Sequence, residues 1–418
     1  MAIDPAEFKK RRMLRQQKRQ EQERKRRTLM IRLGIAGGVI VACAAVILLL
    51  SRPAPEEKPQ EVISATQPQA PQEELTVIHF AAAGDLNITD RVVSAGGGNY
   101  DFTNTFLDIA HILADADLTA VNLEGNLCGA PYGTKTVSAP QQLMDALSAA
   151  GVDAVQLANS YSINKGISGL ADTINGVRAA GMEPLGVSAD QASYRQNKGY
   201  SIFDVQGVRI ALVAFTKGMD GMTLPPGSEH CVNVLYTDYD STYKTVDTQG
   251  ITQVLQAAQR EVPDITIAML HWGSEFNNTI SASQERIVKL MQENGVDAII
   301  GTHSDYVQQM TLDEETGKFV AYSLGDFFGD ASKAGSEYSV ILDLEITKNN
   351  TTGEAKITDY SYTPLFTISE KGTALKVVRL QTAMKAYDEK FLDRVSQATY
   401  DKMAYAMERI KARIAGES

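Results

Sequence analysis

Cysteine is scarce in this chain, with Cys43, Cys128 and Cys231 the only three in 418 residues. That excludes a disulfide framework, and because Cys43 lies in an apolar run, at most one bridge, Cys128 to Cys231, can form. Neither residue sits in a metal-type Cys spacing, so two separate thiols packed as small hydrophobes are the simpler reading. Composition permits a Ser-His-Asp triad, but no Gly-x-Ser-x-Gly sequence occurs, so there is no nucleophile elbow. Gly96-Gly97-Gly98 is followed by neither a helical pattern nor a Lys, which makes it a flexible loop and not a phosphate cradle. Nothing supports a nucleotide cofactor. Solenoid repeats are also absent; GlyValAspAla occurs at 151 and 295, each time opening a strand after a helix.

Basic residues are sparse beyond the first 32. That head carries twelve Lys or Arg against Asp4, Glu7, Glu21 and Glu23, a charge of +8, which leaves −19 for the rest of a chain whose net charge is −11. An acidic body with a basic head is unlike a nucleic-acid binder, whose cations spread over the folded surface, so no nucleic-acid partner is expected. The apolar content of 44% excludes disorder for most of the chain, and its length allows one large domain or two modest ones.

Residues 33–50, LGIAGGVIVACAAVILLL, hold no charge, and as a helix they nearly cross a hydrocarbon core of about 30 Å. A single transmembrane helix is expected here. The basic cluster before it places residues 1–32 in the cytoplasm and everything after Ser51 outside, by the positive-inside rule. Lipid headgroups of anionic character suit the same cluster. Two rival readings fit less well. A cleaved signal peptide lacks a small-x-small site after Leu50, and a lipoprotein signal at Cys43 is followed by seven more apolar residues. Residues 51–74 hold five of the thirteen prolines together with Gln and Glu, and read as an extended linker.

From Leu75 onward, apolar runs of strand length alternate with amphipathic stretches. Strands are expected over 76–83, 118–123, 152–158, 208–215, 265–270, 296–300 and 319–324, with later ones near 338–346, 356–363 and 375–380. Helices are expected over 140–150, 168–180, 252–261, 283–294 and 391–414, several ending at a glycine such as Gly151, Gly181 or Gly295. This order predicts an α/β layered domain over 75–385 and a C-terminal helical segment over 386–418.

In open α/β sheets ligands gather beyond the carboxyl ends of the strands. Here those ends carry Asp85, Glu124, Asn159, His271 with Glu275, His303 with Asp305, and Asp326. Singly, each suits a turn, a helix cap or a packed imidazole. Together they are the carboxylate, amide and imidazole set that a divalent cation takes.

The succession GlyAspLeu, AsnLeuGluGly, LeuAlaAsnSerTyrSerIleAsnLysGly, HisTrpGlySerGlu, GlyThrHisSerAspTyrValGln and TyrSerLeuGlyAspPhe resembles, in order and over about residues 77–328, the CapA family of poly-gamma-glutamate capsule synthesis proteins. The resemblance implies a calcineurin-like metallophosphoesterase fold, a layered α/β/β/α sandwich with metal ligands on its loops. It also implies a membrane-anchored role in making, exporting or attaching an anionic envelope polymer in a bacterium, with membrane subunits of a capsule synthesis complex among the partners. The chain departs from the family pattern at three places. Ser160 and Tyr161 stand where Asn and His are usual, Asp305 stands for a second His, and Asp326 for an Asn.

The resulting expectation is a metal set of Asp85, Glu124, Asn159, His271, His303 and Asp305. His271, His303 and Tyr161 are the candidate catalytic groups, and Asn122, Glu275 and Asp326 the candidate substrate contacts. The exchange of imidazole for carboxylate favours Mg, Mn or Ca over Zn. Two further readings are a catalytically silent polymer-binding or assembly subunit, and an unrelated α/β surface receptor.

Overall fold

The computed structural model describes residues 74–392 and 394–417. The expected transmembrane helix over 33–50, the head before it and the linker up to residue 73 lie outside the described residues. Among the described residues, no helix is long and apolar enough to cross a membrane.

The strands are β1 (Leu75–Asn87), β2 (Leu118–Glu124), β3 (Ala154–Gln156), β4 (Glu183–Leu185), β5 (Tyr200–Val205), β6 (Val208–Thr216), β7 (Ile265–His271), β8 (Ala298–Thr302), β9 (Met310–Asp313), β10 (Lys318–Ala321), β11 (Asp326–Phe328), β12 (Tyr338–Asn349), β13 (Ala355–Ile368) and β14 (Lys376–Arg379). Among the described residues they form two mixed sheets. One runs β14-β13-β12-β1-β2-β3-β4 with β11 beside β1, and the other β5-β6-β7-β8-β10-β9.

Alternation along the strands sets the layers. Ala81, Ala83, Val121 and Val155 pack with Leu143, Met144 and Leu147 of the helix Gln141–Ala150 and with Leu170, Ile174 and Val177 of the helix Gly166–Ala179. Ala211, Val213, Phe215, Leu270 and Ile299 pack with Ile251 and Leu255 of the helix Thr248–Gln259 and with Ile287 and Met291 of the helix Ala282–Glu293. The intervening residues, Phe80, Ala82, Ala120, Leu212, Met269 and Ile300, are equally buried and face the opposite way. They fill the space between the sheets, where Phe319 of β10 meets Tyr360 of β13 at 5.1 Å. Helices therefore cover both outer faces of a two-sheet centre, the layering expected from the sequence.

Several short strands were not expected. β4 contains Pro184, which an edge strand tolerates because its missing N–H faces no partner. The expected terminal helix over 391–414 begins later, at Gln397, and runs to Ile414, capped by Ser396, whose side chain accepts from Thr399 N–H; a separate helix, Leu380–Asp388, precedes it and was not expected.

Candidate metal centre

The inter-sheet faces of β2, β7 and β8 run out of apolar residues at their carboxyl ends. After Ala120 come Asn122 and Glu124; after Met269 comes His271; after Ile300 comes Thr302. β1 reaches the same face by a different route. Ala82 pairs with Ala120 but Asp85 pairs with Asn122, so β1 takes one residue more than its neighbour over this step. The extra residue forms a bulge that brings Asp85 onto the inter-sheet face. Gly84 lies in the bulge, where a Cβ would stand 1.8 Å from the Gly325 carbonyl oxygen.

Around Asp85 a buried network forms. Asn122 Nδ2 donates to Asp85 Oδ1 at 2.6 Å, and His303 N–H donates to Asp85 Oδ2 at 2.7 Å. Asn159 Nδ2 donates to Asn122 Oδ1 at 3.1 Å and to the Leu123 carbonyl at 2.6 Å, while Asn159 Oδ1 accepts from Tyr161 N–H at 2.9 Å. His303 and Asp305 have φ of +85° and +59°, a left-handed backbone in two successive non-glycine site residues that the hydrogen bond to Asp85 helps hold.

Two groups of ligand atoms result. Glu124, His271 and His303 form one and Asp85, Asp305 and Asp326 the other; all six residues are buried, and within each group the atoms lie within 4.8 Å of one another. The two imidazole rings are 4.3 Å apart. Four carboxyls this close cannot all ionise out of contact with water. Burial, then the charges of Asp85 and Asp305, push Glu124 well above the ordinary carboxylate range. Burial, then Asp305 and Asp85, do the same to Asp326, and burial with the charge of Asp85 lifts Asp305 to about 7. Glu124 with Asp85, and Asp326 with Asp305, are thus two buried pairs in which full ionisation of both carboxyls is disfavoured. Burial keeps both imidazoles neutral, with His303 at about 3 and His271 also well down, each further depressed by a nearby cation, Lys217.

Three of these buried polar atoms, Glu124 Oε1, His303 Nε2 and Asp326 Oδ1, have no hydrogen-bond partner. A buried polar atom without a partner costs about 1–3 kcal/mol, and cations held by the two groups would give these atoms partners. The donor set, two neutral imidazoles and four carboxyls, fits a divalent ion of the Mn or Mg type.

The structure sorts the expected residues differently in three cases. Asn159, expected as a ligand, has both amide atoms committed to Asn122, Leu123 and Tyr161, and braces the site. Asn122, expected to touch substrate, is wholly buried beneath Asp85. Asp326, also expected to touch substrate, lies in the buried acid group with Asp85 and Asp305 because β11 runs parallel to β1 with Asp326 beside Asp85. Glu275 is exposed and Tyr161 half-buried. Burial and the charge of Glu124 hold the Tyr161 hydroxyl protonated, with a pKa of about 12.

Ser160 is the expected departure whose geometry is most informative: its hydroxyl lies 3.0 Å from His271 Nε2. Lys217 was not expected at all. It directly follows β6, and its Nζ donates to the Gly273 carbonyl at 3.0 Å. The strand-end pattern points to it, but a search for metal-ligating side chains passes over a lysine.

The sequence profile of the family described as bacterial capsule synthesis protein PGA_cap matches residues 79–331. The capsule biosynthesis protein CapA of Bacillus anthracis is 26% identical over 219 residues, 51% of this chain and 49% of its own length. The PGA biosynthesis protein CapA of Bacillus subtilis strain 168 is 24% identical over 198 residues, 46% of this chain and 47% of its own. The chain spans about half the length of the curated relatives it matches. Among solved structures, the calcineurin-like phosphoesterase YfkN of Bacillus subtilis aligns over 80% of this chain and 100% of its own, with 15% identity and a TM-score of 0.44.

Proposed function

The chain belongs to the bacterial capsule synthesis protein PGA_cap family, and from that premise we propose that it acts in the making, export or attachment of an anionic envelope polymer such as poly-gamma-glutamate, through a divalent-metal site between its two sheets. The observation that carries this reading is the set of unpartnered buried atoms, Glu124 Oε1, His303 Nε2 and Asp326 Oδ1, in two adjoining ligand groups. In the same proposal residues 33–50 anchor the chain in the cell membrane, with residues 1–32 in the cytoplasm and the folded part outside. The polymer and the membrane subunits of a capsule synthesis complex are then its partners. The uncharged run and the basic cluster before it support that placement.

Glu124, His271 and His303 would hold one ion, and Asp85, Asp305 and Asp326 a second or a shared one. A bound divalent ion would supply Lewis-acid polarisation of an ester or acyl oxygen. The chain's own residues do the rest. Asn122 and Asn159 fix the Asp85 carboxylate. The Tyr161 hydroxyl stays protonated and donates to a substrate oxygen at the mouth. Where imidazole nitrogen is not used as a ligand, neutral His271 accepts a proton at Nε2 from Ser160 or a substrate.

A second reading, a catalytically silent polymer-binding or assembly subunit, is favoured by Ser160 and Tyr161, which replace the Asn and His usual in the family pattern. One experiment separates the two. The full-length chain, purified in detergent, is titrated with Mn2+ and Mg2+ by calorimetry and assayed against phosphoesters and gamma-glutamyl peptides, alongside Asp85→Asn and His303→Ala. Stoichiometric ion binding with hydrolysis, both lost in the variants, is the result expected of an enzyme. Binding without hydrolysis selects the second reading, and no stoichiometric ion refutes the metal site.

A further inference from the structure

The body of this protein is strongly acidic, and a polyanionic substrate would be repelled unless the cleft offered a local positive charge. Lys217 supplies one. Its backbone N–H donates to the His271 carbonyl at 2.7 Å, which fixes it against the strand end that carries a metal-type ligand. Its ammonium has three donors. Among the described residues, one hydrogen-bond acceptor meets them, the Gly273 carbonyl at 3.0 Å, while the ring of Tyr243 lies 5.0 Å away with its face towards Nζ. The side chain is half-buried, so its remaining donor capacity is within reach of solvent or a ligand.

Tyr161 is likewise half-buried. The segment bearing it is held against His271 from the other side by the Ser160 hydroxyl at 3.0 Å from Nε2. Its backbone N–H is taken by Asn159 Oδ1, and its hydroxyl has no partner among the described residues. The charges of Glu275 and Asp220 act on both Lys217 and Tyr161. A cationic donor and a neutral donor, each with an uncommitted hydrogen, thus border the buried ligand groups. That pairing suits an oxygen anion better than a neutral amide, because hydrogen bonds to charged groups are about twice as strong as neutral ones.

We propose that Lys217 and Tyr161 form the subsite that takes an oxyanion of the substrate, a carboxylate or a phosphate, at the mouth of the cleft. The proposal rests on the reading of the cleft as a site for an anionic polymer, and it assigns the recognition to two residues outside the metal ligands. It also accounts for a lysine placed where burial disfavours its charge: burial lowers the ammonium pKa, and Glu275, Glu124 and Asp220 pull it back up.

The test uses the full-length chain in detergent, titrated by calorimetry with a gamma-linked glutamate oligomer and, separately, with inorganic phosphate, each with and without Mn2+. The expected result is binding of at least one probe, weakened about tenfold or more by Lys217→Met, less by Tyr161→Phe, and largely retained by Lys217→Arg. Binding should also weaken with ionic strength. Lys289→Ala, on an exposed helix face, serves as the control and should bind as wild type. Lys217→Met should still bind Mn2+ with the wild-type stoichiometry, and no more weakly, since a nearby positive charge has been removed; this shows that the fold and the ligand groups survive. Oligomer binding marks a polymer carboxylate as the source, and phosphate binding marks a phosphoryl group. Equal binding by Lys217→Met and wild type overturns the proposal, as does wild type that binds Mn2+ but neither probe. If Mn2+ fails to bind while probe binding still depends on Lys217, the metal reading falls and the subsite stands.

Discussion

Ser160 Oγ lies 3.0 Å from His271 Nε2, on the opposite ring atom from Nδ1, which faces Glu124 Oε1 at 3.5 Å and Thr302 Oγ1 at 3.2 Å. The imidazole therefore meets hydroxyls at both nitrogens, Ser160 after β3 and Thr302 at the end of β8, with the Glu124 carboxyl of β2 close by. Ser160 occupies the place where the family pattern has an amide, so its short side chain leaves His271 Nε2 bound to a hydroxyl. Restoring the usual pair in the double variant Ser160→Asn, Tyr161→His is expected to raise phosphoester turnover about tenfold or more over wild type, the size of an added proton-transfer group. Steady-state kinetics with a chromogenic phosphoester checks this. Unchanged turnover would locate the chemical limit elsewhere in the site.

Ion binding should be strongly pH-dependent. Asp305 at about 7, and Glu124 and Asp326 raised beyond the usual carboxylate range, carry protons that an ion must displace, whereas the histidines are already neutral. Affinity for Mn2+ should therefore increase from pH 6 to pH 8, by about tenfold per pH unit for each proton released. Calorimetry in buffers of different ionisation enthalpy counts those protons, and Asp305→Asn should lower the count.

The same shifts act on the stability of the metal-free chain in opposite directions. Asp305 is raised from 3.8 to about 7, so its contribution falls as pH rises through that window. His303 is depressed from 6.5 to about 3, so its contribution is full above 6.5 and is lost as pH falls towards 3. Asp305→Asn should remove the first effect alone, leaving a metal-free melting temperature that declines less between pH 5 and pH 7.5. Thermal melts with a chelator present would show it.

Gly84→Ala tests the bulge. Its Cβ would meet the Gly325 carbonyl oxygen at 1.8 Å, a backbone atom that cannot rotate aside, so β1 or the chain leading into β11 must shift. A loss of about 3 kcal/mol or more, with loss of ion binding, is expected. Gly98→Ala, where an added Cβ meets nothing within 4 Å, should change stability by less than about 0.5 kcal/mol. Urea denaturation of both variants compares them.

Arg413, on the C-terminal helix, lies 4.7 Å from the ring of Tyr306 and 5.4 Å from that of Tyr338, and Tyr306 directly follows Asp305. Arg413→Ala should cost about 1–2 kcal/mol and weaken Mn2+ binding, because the loop from His303 to Tyr306 loses its outer support. Arg413→Lys should recover part of both. Denaturation and calorimetry on the same preparations would report the two effects side by side.

Much of this site was legible because β2, β7 and β8 are regular. Their apolar alternation carries Glu124 and His271 straight onto the inter-sheet face, and the strand-end rule finds them. Asp85 was found by the same rule, but strict alternation from Phe80 would have turned it towards the helices; the bulge reverses that and leaves no periodic trace. The separation of ligand from support was not legible. Asn159 and Asp326 are both polar residues after a strand or opening one, and only the packing shows that both atoms of one amide have partners while one oxygen of the other residue's carboxyl has none. β4 and β11, three residues each, are too short to display a period, and β11 is what places Asp326 beside Asp85.

The crowding of carboxyls between the sheets has a consequence for how the protein meets its surroundings. Each proton that an entering divalent ion displaces cancels one of the charges it brings. Ion occupancy at the centre therefore changes the long-range field met by a passing polyanion by less than the ion's full charge.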